Sequence, residues 1–262
     1  MLKSPYKKYD FLHIYNVEKC NVNICDNDLI GVWEEEDTLL IFFHKNKDDL
    51  IREKNLKLFF YTKIHYNEWE SGKFIGKFEI GDFHIVPVWE DNEFSENKII
   101  IDPSVVFGTG FHPTTRMILE SFYTLTETEK TDSCIDLGCG SGILSVFAAK
   151  RGVNKVVAAD NNNLSFEVAC KNKVLNNVHI EIYKKDIFEF LPYSYNVVFA
   201  NLYYHLLHKL FEADGFWNAE YYFLSGFIEN MEEEIKNRVR DKADIIERKT
   251  RDNWVMLLLK RR

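Results

Sequence analysis

The sequence predicts an α/β fold: a seven-stranded, mostly parallel Rossmann-like sheet with one antiparallel strand, preceded by a small α+β domain. Strand and helix patterns alternate from Lys98 onward, a glycine-rich turn joins a strand to a helix, and the last two strand patterns have no helix between them, so they should pair as a hairpin. We therefore divide the chain into the small domain at residues 1–63, a linker helix with connecting strands at 64–97, and the large domain at 98–262.

Composition and charge narrow the class of protein. The chain has 262 residues, of which 46% are hydrophobic, enough for a buried core. It has no apolar run long enough to span a membrane and no apolar stretch behind its basic start, so we expect a cytoplasmic protein. The net charge of −8 disfavours a phosphate backbone and suits a basic protein partner. We therefore expect a monomer with no direct nucleic-acid partner and no membrane partner.

The cysteines indicate a reducing compartment. There are five, an odd number, and no export signal precedes them, which is typical of free thiols. Cys20 and Cys25 have no second Cys or His pair to complete a zinc site, so we predict no metal.

Periodicity predicts the elements of the first 97 residues. The small domain should contain four strands and one helix. The strands are expected at 9–17, 29–33, 38–43 and 56–64, and the helix at 47–55. The linker should contain a helix at 65–71 ended by Gly72, strands at 78–80 and 83–89, and a polar loop at 91–97.

The large domain alternates between the two periods. Strands are predicted at 133–137, 155–159, 179–184, 195–200, 221–224, 244–249 and 254–260. Helices are predicted at 143–150, 164–176, 203–213 and 228–240. This order gives parallel strands with helices on both faces of the sheet.

The glycine-rich turn is the sharpest local motif. Asp136, Gly138, Gly140 and Gly142 fall in the sequence Asp-Leu-Gly-Cys-Gly-Ser-Gly, at the end of a strand and the start of a helix. Its G-x-G-x-G spacing differs from the dinucleotide pattern, and an aspartate just before the first glycine would repel a pyrophosphate but attract an ammonium group. S-adenosylmethionine carries an ammonium and a carboxylate but no phosphate, so we expect it to be the cofactor. We expect Cys139 to be a small buried residue rather than a nucleophile.

Two further acidic residues follow the next strands. Asp160 ends the second strand, 22 residues after Gly138, where a carboxylate can accept hydrogen bonds from both ribose hydroxyls. Asp186 follows the third strand and is a candidate for the adenine side of the site.

The loop before the first predicted helix and strand of the large domain's main sheet is also unusual. Phe107-Gly108-Thr109-Gly110-Phe111-His112-Pro113-Thr114-Thr115 has the length and glycine content of a loop that folds over a ligand. Phe107, Thr109 and Thr115 are therefore candidate cofactor-binding residues. Pro113 suits the first turn of a helix, so an ordinary helix cap by the threonine hydroxyls is the alternative.

Asn201 ends the fourth strand of the large domain. Ligands lie at the carboxyl ends of strands in such sheets, so Asn201 is expected to orient a reacting amine. It is not followed by the two prolines found in many methyltransferases that act on nucleobases or glutamine amides. Phe107, Phe111 and Tyr203 would favour the neutral form of an amine by desolvation, and His112 is a weaker candidate for taking its proton.

Together these segments resemble the PrmA-type family of class I S-adenosylmethionine-dependent methyltransferases, which methylates the eleventh protein of the large ribosomal subunit. The resemblance runs from about Trp69 to the end and rests on the string at 107–115, the glycine turn, Ala200-Asn201-Leu202, Leu224-Ser225-Gly226-Phe227 and Trp254. It implies methylation of lysine side chains and an N-terminal amine, and a small substrate-recognition domain before the catalytic one. It also implies that the cofactor-contacting positions are Thr115, Gly138, Asp160 and Asn201.

The chain departs from the family pattern at three places. Phe111 stands where the family has threonine, Asn161-Asn162-Asn163 replaces an acidic–proline pair, and Tyr203-Tyr204-His205 replaces small residues beside the acceptor. Two alternatives therefore stay open. One is a class I methyltransferase for another protein or a small amine, and the other is a non-catalytic S-adenosylmethionine-binding assembly module.

Overall fold

The computed structural model describes residues 10–69, 76–90 and 97–262, and it confirms the fold class. Three positions of the sequence-based interpretation lie outside the described residues: the start of the first strand at Tyr9, the end of the linker helix at residues 70–72, and nearly all of the loop at 91–97. No helix within the described ranges is long and apolar enough to cross a membrane.

The first part of the chain forms a four-stranded antiparallel sheet. Its strands are β1 (Phe11–Glu18), β2 (Leu29–Glu34), β3 (Thr38–Phe43) and β4 (Leu58–His65), in the order β2-β3-β1-β4. Helix α1 (Asp48–Glu53) connects β3 to β4, and the short helix α2 (Tyr66–Trp69) follows β4. The four strands and the helix lie close to their predicted positions, although β1 is buried on both faces and β4 is largely exposed.

A second, three-stranded sheet connects the two larger ones. It contains β5 (Phe78–Ile80), β6 (Phe83–Pro87) and β7 (Lys98–Ile101), with β6 and β7 parallel. A 3₁₀ turn at Val88–Glu90 ends the strand that we expected to reach residue 89. The boundary proposed at residue 98 thus passes through this sheet, since β7 pairs with β6 and not with the seven-stranded sheet.

The third sheet is the seven-stranded one, with the order β10-β9-β8-β11-β12-β14-β13. Its strands are β8 (Ser133–Leu137), β9 (Lys155–Asp160), β10 (Glu181–Lys184), β11 (Val197–Asn201), β12 (Tyr221–Ile228), β13 (Ala243–Arg251) and β14 (Trp254–Arg261). Its helices are α3 (Pro113–Thr128), α4 (Ile143–Lys150), α5 (Asn163–Leu175), α6 (Tyr204–Glu212) and α7 (Glu232–Val239). Strand β14 is antiparallel to both of its neighbours, β12 and β13, which confirms the predicted hairpin and the single antiparallel strand.

The stretch after β11 differs most from the expected boundaries. Strand β12 runs to Ile228, four residues beyond the predicted end, and a 3₁₀ turn at Glu229–Met231 precedes α7. Gly226 has a φ of +100°, and a Cβ there would lie 1.9 Å from the carbonyl oxygen of Leu202. The glycine therefore lets β12 continue past the segment that follows β11, and the pairing register shifts at this point.

Two asparagines, one in α5 and one directly after it, cover the open edge of β7. The side-chain amide of Asn176 accepts from the Ile100 N–H (2.8 Å) and donates to the Ile100 carbonyl (2.6 Å). One helical turn earlier, Asn172 does the same to the Asp102 N–H (2.8 Å) and carbonyl (3.1 Å). The two amides thus take the place of a further strand, and they satisfy backbone groups whose burial without partners would be costly.

Candidate active site

A cavity of about 370 Å³ lies at the carboxyl edge of the seven-stranded sheet, within the usual range for a small-molecule site. The eight candidate residues that line it come from the glycine turn, the loop before α3 and the ends of β9 to β11. They are Phe107, His112, Gly138, Gly140, Asp160, Asp186, Asn201 and Tyr203. The structure therefore brings together residues that lie up to 96 positions apart in the chain.

The glycine turn packs against the end of β9. The N–H groups of Gly138 and Cys139 donate to the Ala159 carbonyl at 2.8 and 3.0 Å. Gly140 has a φ of +53°, and its N–H donates to Asp160 Oδ2 at 2.9 Å. A Cβ on Gly140 would lie 2.3 Å from the carbonyl oxygen of Phe107, so only glycine lets the turn approach the neighbouring loop so closely.

Four of the candidate cofactor-binding residues do not line the cavity. They are Thr109, Thr115, Asp136 and Gly142, and Gly142 serves instead as the residue before α4. The Asp136 side chain lies buried behind the turn and accepts a 2.6 Å hydrogen bond from Ser145 Oγ. Burial raises the pKa of this carboxyl to about 7. The sequence suggested that Asp136 directly attracts the ammonium group of a ligand. Asp136 is not part of the cavity wall, so the structure does not place its carboxyl group at that space.

The two later acidic residues both face the cavity. The carboxylate of Asp160 accepts from the N–H groups of Gly140 and Asn162, the latter at 2.9 Å, which fixes its orientation, and burial raises its pKa. Asp186 caps a 3₁₀ turn at Ile187–Phe190, where it accepts from the Phe188 N–H at 3.0 Å. Both side chains thus have fixed positions at neighbouring strand ends.

The loop before α3 is tied to the glycine turn. Ser141 donates from its backbone N–H to the Phe107 carbonyl at 3.0 Å and from Oγ to the Gly108 carbonyl at 2.6 Å. These bonds hold the Phe107 ring at the cavity, where the residue stays 44% exposed. The loop and the glycine turn are thus joined by hydrogen bonds, and the predicted closure of the loop over a ligand stays a prediction.

The cap of α3 corrects one expectation. His112 and not a threonine is the residue before the helix, and its Nδ1 accepts from the Thr114 N–H at 3.4 Å and lies 2.8 Å from the Thr114 hydroxyl oxygen. Its ring lies between Phe107 and Trp254, with centroid distances of 5.0 and 4.8 Å. His112 therefore forms part of an aromatic wall.

Asn201 lines the cavity and carries an unsatisfied polar atom. Its Nδ2 donates to Thr115 Oγ1 at 3.2 Å, and its Oδ1 is buried with no hydrogen-bond partner among the residues that the structure describes. A buried acceptor without a partner is costly unless a ligand satisfies it. Asn201 is thus positioned to accept a hydrogen bond from a bound molecule.

The aromatic candidates separate into two groups. Phe107 and Tyr203 face the cavity, with their ring centroids 6.5 Å apart, and Tyr203 is 67% exposed. Phe111 does not line the cavity, because its ring packs against Phe78 at 5.4 Å. Phe111 is therefore not part of this cavity wall, and its contribution to an amine site stays a prediction.

The five cysteines are free thiols. Cys139 is buried within the glycine turn, as expected, and burial raises its pKa well above the usual value. A thiol held in its neutral form is a poor nucleophile.

The sequence-based interpretation did not include several lining residues. Ile187 and Leu206 carry no motif, and Trp254 appeared only through the family resemblance. Trp33 and Glu34 come from β2 in the N-terminal sheet, and no local pattern in β2 distinguishes them from ordinary strand and turn residues. The contact between that sheet and the cavity was visible only in three dimensions.

Comparison with known proteins agrees with this architecture. Residues 10–262 match the family model described as ribosomal protein L11 methyltransferase (PrmA). Curated proteins with that name are 33% identical over 200 residues in Caldicellulosiruptor saccharolyticus (74% of this chain, 65% of that protein) and 31% identical over 250 residues in Dictyoglomus turgidum (85% and 81%). This chain thus spans just under two thirds of the length of the Caldicellulosiruptor protein.

A solved structure supports the fold. The crystal structure of ribosomal protein L11 methylase from Lactobacillus delbrueckii subsp. bulgaricus superposes with a TM-score of 0.63 at 24% identity, over 71% of this chain and 99% of that chain. With the family model matching nearly the whole sequence, the chain belongs to the ribosomal protein L11 methyltransferase (PrmA) family.

Proposed function

We propose that this protein transfers methyl groups from S-adenosylmethionine to amino groups of the eleventh protein of the large ribosomal subunit, on lysine side chains, on the N-terminal amine or on both. The observation that carries the proposal is Asn201, which lines a cavity bordered by the glycine turn and whose buried Oδ1 has no hydrogen-bond partner among the described residues. Family membership supports the choice of reaction and of acceptor.

The described residues fit the donor. Gly138 and Gly140 line the cavity, and the absence of a side chain at both positions lets the turn pack on Leu202 and Phe107, where a Cβ would collide. Asp160 is oriented to accept hydrogen bonds from ribose hydroxyls, and Asp186 borders the adenine side. S-adenosylmethionine supplies a methyl group that its sulfonium already activates, so the protein's task is chiefly positioning.

The acceptor side would be formed by Asn201 and aromatic rings. A lysine amine is protonated near neutral pH, and the apolar surroundings of Phe107, Tyr203 and Trp254 would lower its pKa by desolvation. The Asn201 Oδ1 would then accept a hydrogen bond from the neutral amine and direct its lone pair toward the methyl group. The faces of the same rings would also accommodate the methylated ammonium group, which becomes larger with each added methyl.

His112 has a lesser place in this scheme. Its Nδ1 is engaged by Thr114 at the start of α3, and its ring packs between Phe107 and Trp254. We therefore assign His112 first to the wall on the acceptor side of the cavity and only second to taking a proton from the amine.

The same proposal gives each of the three parts of the chain a role in substrate recognition or catalysis. The N-terminal domain at 1–63 recognises the substrate, the segment 64–97 links it, and residues 98–262 form the catalytic domain that holds donor and amine. A net charge of −8 favours encounter with a basic ribosomal protein. We propose a monomeric protein that acts in the cytoplasm, where this substrate is made, without contacting nucleic acid or membrane directly.

One observation keeps a different acceptor open. Tyr203, which stands where the family has a small residue, lines the cavity beside Asn201. A bulky ring at position 203 narrows the acceptor side of the cavity. This narrowing would favour a different protein or a small amine as the substrate.

Calorimetry and mass spectrometry together test the proposal. Titration with S-adenosylmethionine and S-adenosylhomocysteine is expected to show one site per chain. Incubation of the eleventh large-subunit protein with enzyme and isotopically labelled donor should then add labelled methyl groups at its amines, which keep their positive charge. Failure to bind either compound contradicts the donor assignment, whereas binding followed by no product on this protein contradicts the acceptor.

A further inference from the structure

The N-terminal sheet reaches the donor cavity. Trp33 and Glu34, at the end of β2, line the cavity together with residues at the end of β9 and the start of α5. These neighbours include Asp160, Asn161 and Ser165. The end of β2 therefore forms part of the same cavity wall as Asp160, although Glu34 precedes Asp160 by 126 residues in the sequence.

A close backbone approach holds β2 in this position. Gly31 lies against Leu164 in the first turn of α5, where an added Cβ would stand 2.6 Å from Leu164 Cδ1. Gly31 and Trp33 are two residues apart in a strand, so they share the face that packs on α5. The absence of a side chain at Gly31 thus permits the contact that brings the Trp33 ring to the cavity.

An apolar cluster strengthens the contact between the two sheets. Leu12, Ile14 and Phe42 of the N-terminal sheet share a buried cluster with Val105, Leu164 and Val168, and Trp33 packs against its edge. Val105 belongs to the loop before α3, and the other two belong to α5. The N-terminal sheet is therefore packed on the same elements that build the cavity.

We propose that Trp33 is a donor-binding residue, and that its indole ring covers the ribose and adenine end of S-adenosylmethionine. The assignment rests on the function proposed above, because Asp160 defines the ribose position. A large aromatic ring beside a nucleoside excludes water and offers a stacking face for the base. Donor binding then also stabilises the packed position of the N-terminal sheet, since the ligand contacts both parts.

Calorimetry with S-adenosylhomocysteine tests the assignment. Trp33→Ala should weaken binding by about tenfold or more, and Trp33→Phe should recover most of the loss because an aromatic face remains. Phe59→Ala is the matched control: Phe59 lies on β4 of the same sheet, is 52% exposed and does not line the cavity. Its affinity should stay within about twofold of the wild type, as for most surface substitutions.

A second variant tests the position of Trp33 without removing it. Gly31→Val places a branched side chain against Leu164 and should weaken donor binding although Trp33 is intact. Ligand-induced change in tryptophan fluorescence gives a further measurement, and Trp33→Phe should remove part of it. This measurement decides the matter if Trp33→Ala fails to fold.

The outcomes separate the two proposals. If the wild type binds S-adenosylhomocysteine while Trp33→Ala binds it equally well, or Trp33→Phe keeps the full fluorescence change, the role of Trp33 is overturned and the proposed function stands. If the wild type does not bind the compound at all, the proposed function fails and the role of Trp33 fails with it.

Discussion

The Asn201 side chain is held by Thr115, 86 residues earlier in the chain, through a 3.2 Å hydrogen bond from Nδ2 to Oγ1. This bond fixes the amide of a residue that lines the cavity and whose Oδ1 has no partner in the described part of the protein. Thr115 lies in the first turn of α3 and Asn201 at the end of β11, so the pair joins two elements across the site. Thr115 therefore acts as a positioning residue for Asn201.

This relationship predicts distinct effects for the two residues. Asn201→Ala should lower the methyl-transfer rate by roughly 100-fold, the size of effect expected when a reacting group is misplaced. Thr115→Val should lower it less, because the amide remains but can rotate. Single-turnover kinetics with labelled donor measures the rate, and calorimetry should show donor affinity changed little in both variants. An unaltered rate in Asn201→Ala would remove the orienting role from our mechanism.

The glycine turn predicts a matched pair of substitutions. Gly140 and Gly152 both have positive φ, of +53° and +88°, so alanine at either place costs about 1–2 kcal/mol of backbone strain. Only at Gly140 would the new Cβ collide with another atom, the Phe107 carbonyl oxygen at 2.3 Å, whereas at Gly152 nothing lies within 4 Å. Urea unfolding should show both variants destabilised, and calorimetry should show donor affinity reduced by about tenfold or more in Gly140→Ala alone. Equal donor affinity in the two variants would contradict the close approach of turn and loop.

The asparagines in and directly after α5 allow a similar comparison. Asn172→Leu and Asn176→Leu each leave a backbone N–H and a carbonyl of the β7 segment without a partner, at a cost of about 1–3 kcal/mol per buried group. Asn172 also donates from Nδ2 to the Ser141 carbonyl in the glycine turn at 2.8 Å, and Asn176 makes no such bond. Both variants should lose stability in chemical denaturation, but only Asn172→Leu should also lose donor affinity. A loss of affinity in both would mean that the effect passes through β7 and not through the turn.

The buried carboxyl of Asp136 predicts a dependence of stability on pH. Its pKa is raised from 3.8 to about 7 by burial, so the folded protein binds this proton more tightly than the unfolded chain does. The contribution of Asp136 to stability is therefore present below about pH 4 and is lost as the pH rises toward 7. Asp136→Asn should remove this component, which amounts to at most about 1.4 kcal/mol per pH unit.

The check is urea denaturation of the wild type and the variant at several pH values from 4 to 8. The Ser145 hydroxyl donates to the ionised carboxylate and lowers its pKa, so Ser145→Ala should move the pH window of the wild type upward. If the difference in unfolding free energy between wild type and Asp136→Asn does not vary with pH, Asp136 is ionised throughout and the assignment is wrong.

Several features of the site could be predicted from the sequence because each depends on residues close together in the chain. The glycine turn needs three glycines within five residues, and Asp160 and Asn201 were identified from their places at the ends of predicted strands. In a parallel sheet the carboxyl ends of the strands meet at one edge, which brings such residues together whatever their separation in sequence. The alternation of strands and helices thus predicted both the sheet and the edge at which the cavity lies.

Other features depend on contacts between distant segments, which a local pattern does not encode. Strand periodicity says which face of β2 is apolar, but only the packing of that face on α5 brings Trp33 to the cavity. Likewise, Asp136 lies two residues before the first glycine in sequence, yet its side chain points behind the turn to Ser145.

What the sequence determined by itself was the fold class, the glycine turn and the strand-end residues Asp160 and Asn201, because short-range spacing and periodicity specify them. The tertiary structure decided the orientation of the Asn201 amide, the capping role of His112, the exclusion of Phe111 and the entry of Trp33. Each of these depends on which surfaces are buried against one another, and that is settled only when the two larger sheets and the helices between them pack.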